Sequence, residues 1–555
     1  LNRTIKHISI ALAILIVVNI LAGKVYQRFD LTEDGRYTLS QSALDIIDSV
    51  DSPIDIDIFL DGESFPSEFR RLQNEVKQLL EEFAAKNKNI QFKFINPLKE
   101  EATREGNIQQ LTQRGLTPMQ LSVQENGKSS HLVIFPWALA SYNGVTVSIP
   151  LVKNKIGVSQ QELVTNSVQH LEYAFADGFS KLTQSKKRKI AILKGNGQLN
   201  DKYIFDFVKK LGSYYFIAPF TLDSVSSSPQ KTFDNLKTFD LIISAKPTEA
   251  FTEKEKFVLD QYNLFGGKSL WLIDAVAMEK DSLYNESGKS FATTRDLNLT
   301  DFFFKYGARI NPVMVNTLYS APITLAMGSG SNSQFQHLKW PYSPLSTSSN
   351  NHPIVNNLNL VKFDFANQID TLKNAISKTI LLESAPLSKL DGTPKEISLD
   401  LVIKDPDPKS YNKGNQTLAV LLEGKFESMY KNRIKPFELN DVKDIGVETQ
   451  MILIADGDVI KNDVIGNKPQ ELGFDRWTGQ TYGNKEFLLN AVNYLLDDTG
   501  LINIRSKEIQ VAFLNQNKIA KEKTKWQIIN IVLPLILLGF FGWVYTYLRK
   551  KNYRG

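Results

Sequence analysis

Two stretches of the chain are apolar at almost every position. Ile5 to Gly23 runs IKHISIALAILIVVNILAG, and Ile528 to Leu548 runs IINIVLPLILLGFFGWVYTYL. The second has 21 residues without a formal charge. As a helix it measures about 31 Å, the thickness of a hydrocarbon core of roughly 30 Å. Its 13 Leu, Ile, Val and Phe residues favour insertion by about 4–8 kcal/mol, less what Asn530 and Pro534 cost. Trp526, Trp543, Tyr545 and Tyr547 suit the interfaces. Arg3 and Lys6 stand at the start of the first stretch, where a signal peptide carries its positive region. Leu21-Ala22-Gly23-Lys24 has the form of a lipoprotein cleavage box with Lys where the lipidated Cys would stand, so we read an uncleaved helix over 1–23. Two spans, 1–23 and 526–548, put the termini and the basic tail 549–555 on one side of a lipid bilayer and the bulk of the chain on the other.

Between the spans the period changes repeatedly. Ser40 is placed to cap a helix carrying Leu44, Ile47 and Val50, which Pro53 ends. Ile54-Asp55-Ile56-Asp57-Ile58 alternates as a half-buried strand. Phe69, Leu72, Val76, Leu79, Leu80 and Phe83 follow at helical spacing, and Ile90–Ile95 reads as a second strand. Strands at Met119–Gln124 and His131–Phe135 flank a turn at Asn126-Gly127. This order resembles a thioredoxin-like domain over 24–158, with Pro118 where that fold often holds a cis-proline and without its redox cysteines.

A connecting helix over 159–188 leads to a second pattern. Strands at Ile190–Leu193, Tyr215–Ala218, Leu241–Ser244 and Ser269–Ile273 alternate with helices at Asn200–Leu211 and Thr252–Phe265, which predicts a parallel, doubly wound α/β sheet. Further strands at Thr379–Glu383, Leu418–Glu423 and Met451–Ala455 and a helix at Glu486–Leu496 extend this flavodoxin-like or glutamine-amidotransferase-like domain over 189–505. Residues 328–352, rich in Gly, Ser and Asn, read as an inserted surface loop, and 506–525 as a polar helical stalk.

Composition narrows the function. The chain has 65 Lys and Arg against 60 Asp and Glu. Six of those basic residues lie at the two ends, leaving 59 against 60 in the bulk, so there is no surplus to displace counterions from a nucleic acid. With no cysteine among 555 residues, disulfides, thiol nucleophiles and cysteine-ligated metals are excluded. Counting charge flanking the spans does not orient them; absence of thiols favours an exported bulk.

Gly266-Gly267-Lys268-Ser269 has the tail of a P-loop, but Tyr262 stands where the first Gly is needed, and a helix precedes it with a strand following. It reads as a turn, not an ATPase site. Gly195-Asn196-Gly197-Gln198 follows the first α/β strand, where open sheets bind ligands. Asp456-Gly457-Asp458 with Asn462 and Asp463 lacks the spacing of an EF-hand and reads as a capped turn. The histidines, His7, His131, His170, His337 and His352, form no close metal pair. No cofactor is implied. Ligand-binding candidates are therefore Gly195, Asn196, Gly197 and Gln198, with Trp340, Tyr342 and His352 of the long loop as a recognition surface.

Arg28-Phe29-Asp30-Leu31-Thr32, Arg36-Tyr37-Thr38-Leu39-Ser40, the Gly195–Gln198 loop, Trp340-Pro341-Tyr342 with His352-Pro353-Ile354, and Asp456-Gly457-Asp458 before Asn490-Ala491-Val492-Asn493 carry a resemblance over nearly the whole chain. It resembles the GldG family of gliding-motility-associated ABC-transporter auxiliary subunits of Bacteroidetes. Members tend to have Gly-His-Gly-Glu at 195–198 and Gly-Asp-Ser-Asp at 455–458; this chain has Gly-Asn-Gly-Gln and Ala-Asp-Gly-Asp. The first change removes an ionisable pair and weakens a catalytic reading. The resemblance implies a two-pass inner-membrane protein with a periplasmic bulk. It would be a non-enzymatic, substrate-binding-like subunit beside a GldF-like permease and a GldA-like cytoplasmic ATPase, serving gliding motility and its associated secretion machinery. The ligand and direction of transport are not implied. The alternatives are a periplasmic tether independent of transport and an exported hydrolase, for which no Ser/His/Asp set is visible.

Overall fold

The alternation at Ile54–Ile58 builds the first sheet. In the computed structural model, which describes residues 2–24, 38–62, 65–125, 128–328, 333–348, 350–507 and 516–552, Ile54, Ile56 and Ile58 of β1 (Ile54–Ile58) are buried and Asp55 faces out. The chain divides into two units, Leu1–Glu508 and Ile509–Gly555. In the first, α1 (Asn2–Lys24) exposes its apolar side chains from Ile10 to Val18, and Ser40 caps α2 (Gln41–Asp48) by accepting the Ala43 N–H. Helix α3 (Ser67–Lys86) buries Phe69, Leu72, Val76, Leu80 and Phe83 and links β1 to the parallel β2 (Ile90–Phe94).

After α4 (Arg104–Gln113), β3 (Met119–Glu125) and β4 (Lys128–Ile134) pair only with each other. The expected strand pair therefore does not complete the first sheet; β5 (Trp137–Tyr142) and β6 (Val145–Pro150) do, in the order β2-β1-β5-β6 with β5 antiparallel to β1. Their turn is Asn143-Gly144, with φ of 47° and 80°, the left-handed pair that a two-residue hairpin needs. The cis peptide among the described residues joins Thr393 and Pro394, so Pro118 follows a trans bond, contrary to the thioredoxin expectation. Helix α5 (Gln160–Thr183), started by a Ser159/Glu162 capping box, packs on α2, α3 and β6, with Phe179 edge-on to Phe83 at 5.3 Å.

The second sheet has seven strands. From one edge they are Ser377–Glu383, Thr417–Glu427 and Ile445–Ile454, then β10 (Lys268–Leu272), β9 (Leu241–Ala245), β7 (Lys189–Lys194) and β8 (Phe216–Thr221). Ile445–Ile454 and β7 to β10 are parallel; Thr417–Glu427 is antiparallel to both its neighbours, so the sheet is mixed rather than wholly parallel. Alternate residues feed opposite cores. Ile190 and Ile192 join Phe207 of α6 (Asp201–Leu211), while Ala191 and Leu193 join Phe233 of α7 (Pro229–Leu236) and Phe257 of α8 (Glu253–Leu264). Burial on both faces explains the nearly continuous apolar runs. Helix α9 (Thr300–Tyr306) adds Phe302 and Tyr306 to the second core, and α10 (Asn484–Leu496) adds Phe487, Ala491 and Leu495 to the first.

Three small sheets lie between β10 and Thr417–Glu427 in the chain. The expected surface loop 328–352 belongs to one of them. Ser320–Met327 pairs with Gln334–Ser346, so most of the expected loop is strand; 329–332 and 349 lie outside the described residues, as does the Asn126-Gly127 turn.

The second unit contains α11 (Gln516–Asn552), of which Lys521–Lys551 is long and apolar enough to cross a membrane. Among the described residues it is the one helix that is; in the first stretch the apolar part described is Ile10–Asn19. Residues 25–37, with Arg28–Thr32, and 508–515 of the expected stalk lie outside the described residues.

Candidate functional site

Three neighbouring parallel strands each lead within two residues to a charged one. β9 is followed by Lys246, β10 by Ile273 and Asp274, and Ile445–Ile454 by Ala455, Asp456, Gly457 and Asp458. In-register pairing brings these residues together at the carboxyl edge of the sheet, the place where open α/β sheets take ligands. Lys246 is buried, with its backbone at φ 52°. Its Nζ lies 2.7 Å from Asp458, 2.8 Å from Glu279 and 3.4 Å from Asp274. Arg295 reaches Asp274 at 3.4 Å, and Lys461 reaches Asp458 at 3.6 Å. A Cβ on Gly457 would strike the stem of Lys246, so this turn admits no side chain there. Its N–H donates to Asp274 at 2.5 Å.

A second group adjoins the first. The Asp456 carboxyl accepts the backbone N–H groups of Asp364 and Asp458 at 2.6 and 2.7 Å. Asp364 in turn faces Lys280 at 2.7 Å and Lys362 at 3.8 Å and accepts the Ser343 hydroxyl. Burial pushes Asp456 well above the usual carboxylate range, with Asp458 and Asp274 adding to it. Burial opposes ionisation of Asp458 and Asp364 as well, but Lys246 and Lys461 hold the former down, and Lys280 and Lys362 the latter. Burial also works against the Lys246 charge; Asp458, Asp274 and Glu279 outweigh it and hold its pKa up. Asp456 thus gives up its proton less readily than Asp458 and Asp364 beside it.

Of these side chains, Glu279, Lys280, Lys362, Asp364, Asp458 and Lys461 border a cavity of about 500 Å³, within the size range of small-molecule sites. Five basic residues, Lys202, Lys280, Lys362, Lys461 and Arg476, line it with six acidic ones, Glu279, Asp281, Asp364, Asp458, Asp463 and Asp475. Its aromatic walls are Tyr203, Tyr284, Phe474, Trp477 and Tyr482. Among the described residues no group of three or more His, Cys, Asp or Glu is placed to hold a metal ion. Side by side, acceptor-only carboxylates and donor-only ammonium groups suit a polar ligand.

The candidates read from the sequence fall elsewhere. Gly195 and Gly197 have φ of 109° and 68°, and their loop is fastened by its own bonds. Gln198 accepts the Asn196 N–H at 2.8 Å, Thr248 and Glu249 donate N–H groups to the Asn196 carbonyl, and the Thr248 hydroxyl donates to the Gly197 carbonyl. A Cβ on Gly197 would run into that hydroxyl. Trp340 and Tyr342 are buried with Phe365 in the core of the inserted sheets, their rings 5.7 Å apart, so they are not a recognition surface. The Tyr342 hydroxyl donates to Asp391 at 2.8 Å. His352 lies apart from them, half-buried against the Tyr494 ring at 4.7 Å, where burial lowers its pKa. Lys246, Asp274, Lys280, Lys362 and Asp364 were not singled out by sequence. The available signal was the charge following each apolar strand: Ala245-Lys246, Ile273-Asp274 and Ala455-Asp456.

A second charged cluster joins the two ends of the folded body. Glu172 of α5, buried, accepts the Ser40 N–H at 2.6 Å and faces Lys507 at 2.9 Å; Lys507 also donates to the Thr38 carbonyl at 2.8 Å. Beside it, Glu486 at the start of α10 bonds Arg505 at 2.7 Å and pairs with Lys153. Burial opposes the charge on Glu486, but Lys153 and Arg505 win and bring its pKa to about 2; burial brings Lys153 down to about 8.

Comparison with known proteins adds the family. Residues 187–491 match the model of an ABC-type uncharacterized transport system, and residues 33–141 match a domain of unknown function (DUF7088). An uncharacterized protein of Borreliella burgdorferi (strain ATCC 35210 / DSM 4680 / CIP 102532 / B31) is 21% identical over 542 residues, covering 95% of this chain and 94% of its own. The mmIFT52 N-terminal domain covers 56% of this chain and 97% of its own, at 14% identity and a TM-score of 0.31.

Proposed function

Because the chain belongs to the family of the ABC-type uncharacterized transport system, we propose that it is a non-enzymatic, membrane-anchored auxiliary subunit of an ABC transporter. In this reading its partners are a permease of the GldF kind and a cytoplasmic ATPase of the GldA kind. Helices near both ends of the chain lie in the bacterial inner membrane, the folded bulk stands in the periplasm, and the cavity at the carboxyl edge recognises the ligand. The link to gliding motility and its secretion machinery rests on the motif resemblance.

The observation that carries the anchoring is the meeting of Ser40 and Lys507 on Glu172, with Lys507 also donating to the Thr38 carbonyl. A body that begins and ends at one point is suited to two helices in one bilayer. The β2-β1-β5-β6 order supports a thioredoxin-like first domain that includes α5, and β8-β7-β9-β10 followed by Ile445–Ile454 is the flavodoxin-like 2-1-3-4-5 order. Neither needs redox or nucleotide chemistry, and hydrolysis elsewhere would change how these domains hold a ligand only through differential contacts.

Purification through a tag on this chain in mild detergent tests the reading. A permease and an ATPase should co-purify, and ATP turnover should disappear when the ATPase is deleted. Recovery of a solitary chain would contradict it, and an unchanged cellular role without the ATPase would favour the tether.

A further inference from the structure

The cavity at the carboxyl edge discriminates between classes of ligand. Its six acidic residues against five basic ones leave no cationic surplus, and Lys280, Lys362 and Lys461 already face Asp364 and Asp458. A polyanion would meet carboxylates at every turn. A lipid chain would meet polar groups on most sides. A quaternary ammonium would share its aromatic walls with lysines.

A hydroxyl both donates and accepts. A row of hydroxyls therefore satisfies carboxylates and ammonium groups standing side by side without bringing a charge of its own. The rim supplies the second half of the match. Trp477, 45% exposed, has the Phe335 ring, 66% exposed, tilted against it with centroids 5.1 Å apart, and Arg476 lies 4.8 Å from the Trp477 ring centre. Tyr284, 55% exposed, is a further lining ring. Large aromatic surfaces left open beside a polar cavity mark a binding surface rather than a core. They suit a ligand with one apolar face and a polar perimeter, and a pyranose ring has both.

We propose that this cavity binds a saccharide, neutral or carrying an amino group, with one sugar ring lying on Trp477 and its hydroxyls shared between the Asp364 and Asp458 ion pairs. This deepens the reading of the cavity as the ligand site of a transport subunit and rests on it, but it is tested without the transporter.

The test uses the full chain in a detergent without a sugar headgroup. Tetrasaccharides of glucose, mannose, galactose and N-acetylglucosamine are titrated in while tryptophan fluorescence and heat of binding are followed. At least one should bind saturably, with inorganic phosphate and citrate failing to compete. Trp477→Ala should weaken binding about tenfold or more. Phe335→Ala should weaken it less, and both variants should keep the thermal midpoint, since both residues are exposed at the rim. Failure of all four sugars to bind, unchanged binding in Trp477→Ala, or displacement by phosphate would each overturn the saccharide assignment. Co-purification with a permease and an ATPase would still stand in those cases, so loss of this inference is distinguishable from loss of the transport reading.

Discussion

The carboxyl edge of the seven-stranded sheet has two halves that behave differently. After β7 the chain makes the Gly195–Gln198 loop, whose polar groups bond to one another and to Thr248 and Glu249. After β9, β10 and Ile445–Ile454 it makes a network of buried charges opening on a cavity. The motif that stands out in the sequence is the fastening; the groups able to meet a ligand follow ordinary-looking strands. A glycine pair after a strand reports backbone shape, whereas a charge directly after a buried strand reports an unusual electrostatic commitment, since it must be matched by partners from other strands.

The sharpest way to break this contrast is Lys246→Met. It leaves Asp274 and Asp458 without their shared cation in a buried site, and stability should fall by about 3–5 kcal/mol, read as the denaturant midpoint. Adding Asp458→Asn should restore part of the loss. A change under about 0.5 kcal/mol would show that the network contributes nothing to the fold. On the other half of the edge, Gly197→Ala combines a positive φ with a clash against the Thr248 hydroxyl, at about 1–3 kcal/mol. Gln198→Ala, which removes one side-chain acceptor from a half-exposed loop, should cost only about 0.5–1.5 kcal/mol and leave co-purification with the ATPase unchanged. Loss of function with intact assembly in Gln198→Ala would instead revive catalysis in that loop.

The joint between the ends of the body adds a pH signature. Glu486 has a folded-state pKa of about 2, below its ordinary 4.5. Its contribution is therefore fully present above pH 4.5 and is lost as pH falls from there toward 2. Hydrogen-exchange protection of α10 and the Leu501–Ser506 turn, taken relative to the intrinsic amide rate at each pH, should fall across that window in the wild type. In Glu486→Gln protection should already be low at neutral pH, with a flatter acid dependence; an acid profile identical to wild type would remove Glu486 from the joint.

Much of the fold was legible. The Ile54–Ile58 alternation, the α3 stripe, the capping serine at 40 and the apolar runs of β7, β9 and β10 all fall where periodicity puts them. Three features were not. β5 and β6 escaped because Ala138 and Ala140 are too small to mark a strand, although Asn143-Gly144 announced their turn. Gln334–Ser346 was hidden by the Gly/Ser/Asn composition before it and by Pro341 and Pro344 within it, though Leu338, Trp340 and Tyr342 alternate along the strand. The charge network was invisible because Lys246, Asp274, Asp364 and Asp458 are separated by tens to hundreds of residues and meet only through sheet order.

Anchoring with an exported cavity is the claim on which the rest turns. The chain has no cysteine, so a single introduced thiol reports its own side of the membrane. Glu286→Cys, at an exposed turn of the inserted sheets, and Lys551→Cys, at the end of α11, are exposed to a membrane-impermeant maleimide in intact spheroplasts. The account predicts labelling of Glu286→Cys from outside, and of Lys551→Cys only after lysis. Labelling in the opposite order, or of neither until lysis, would contradict it.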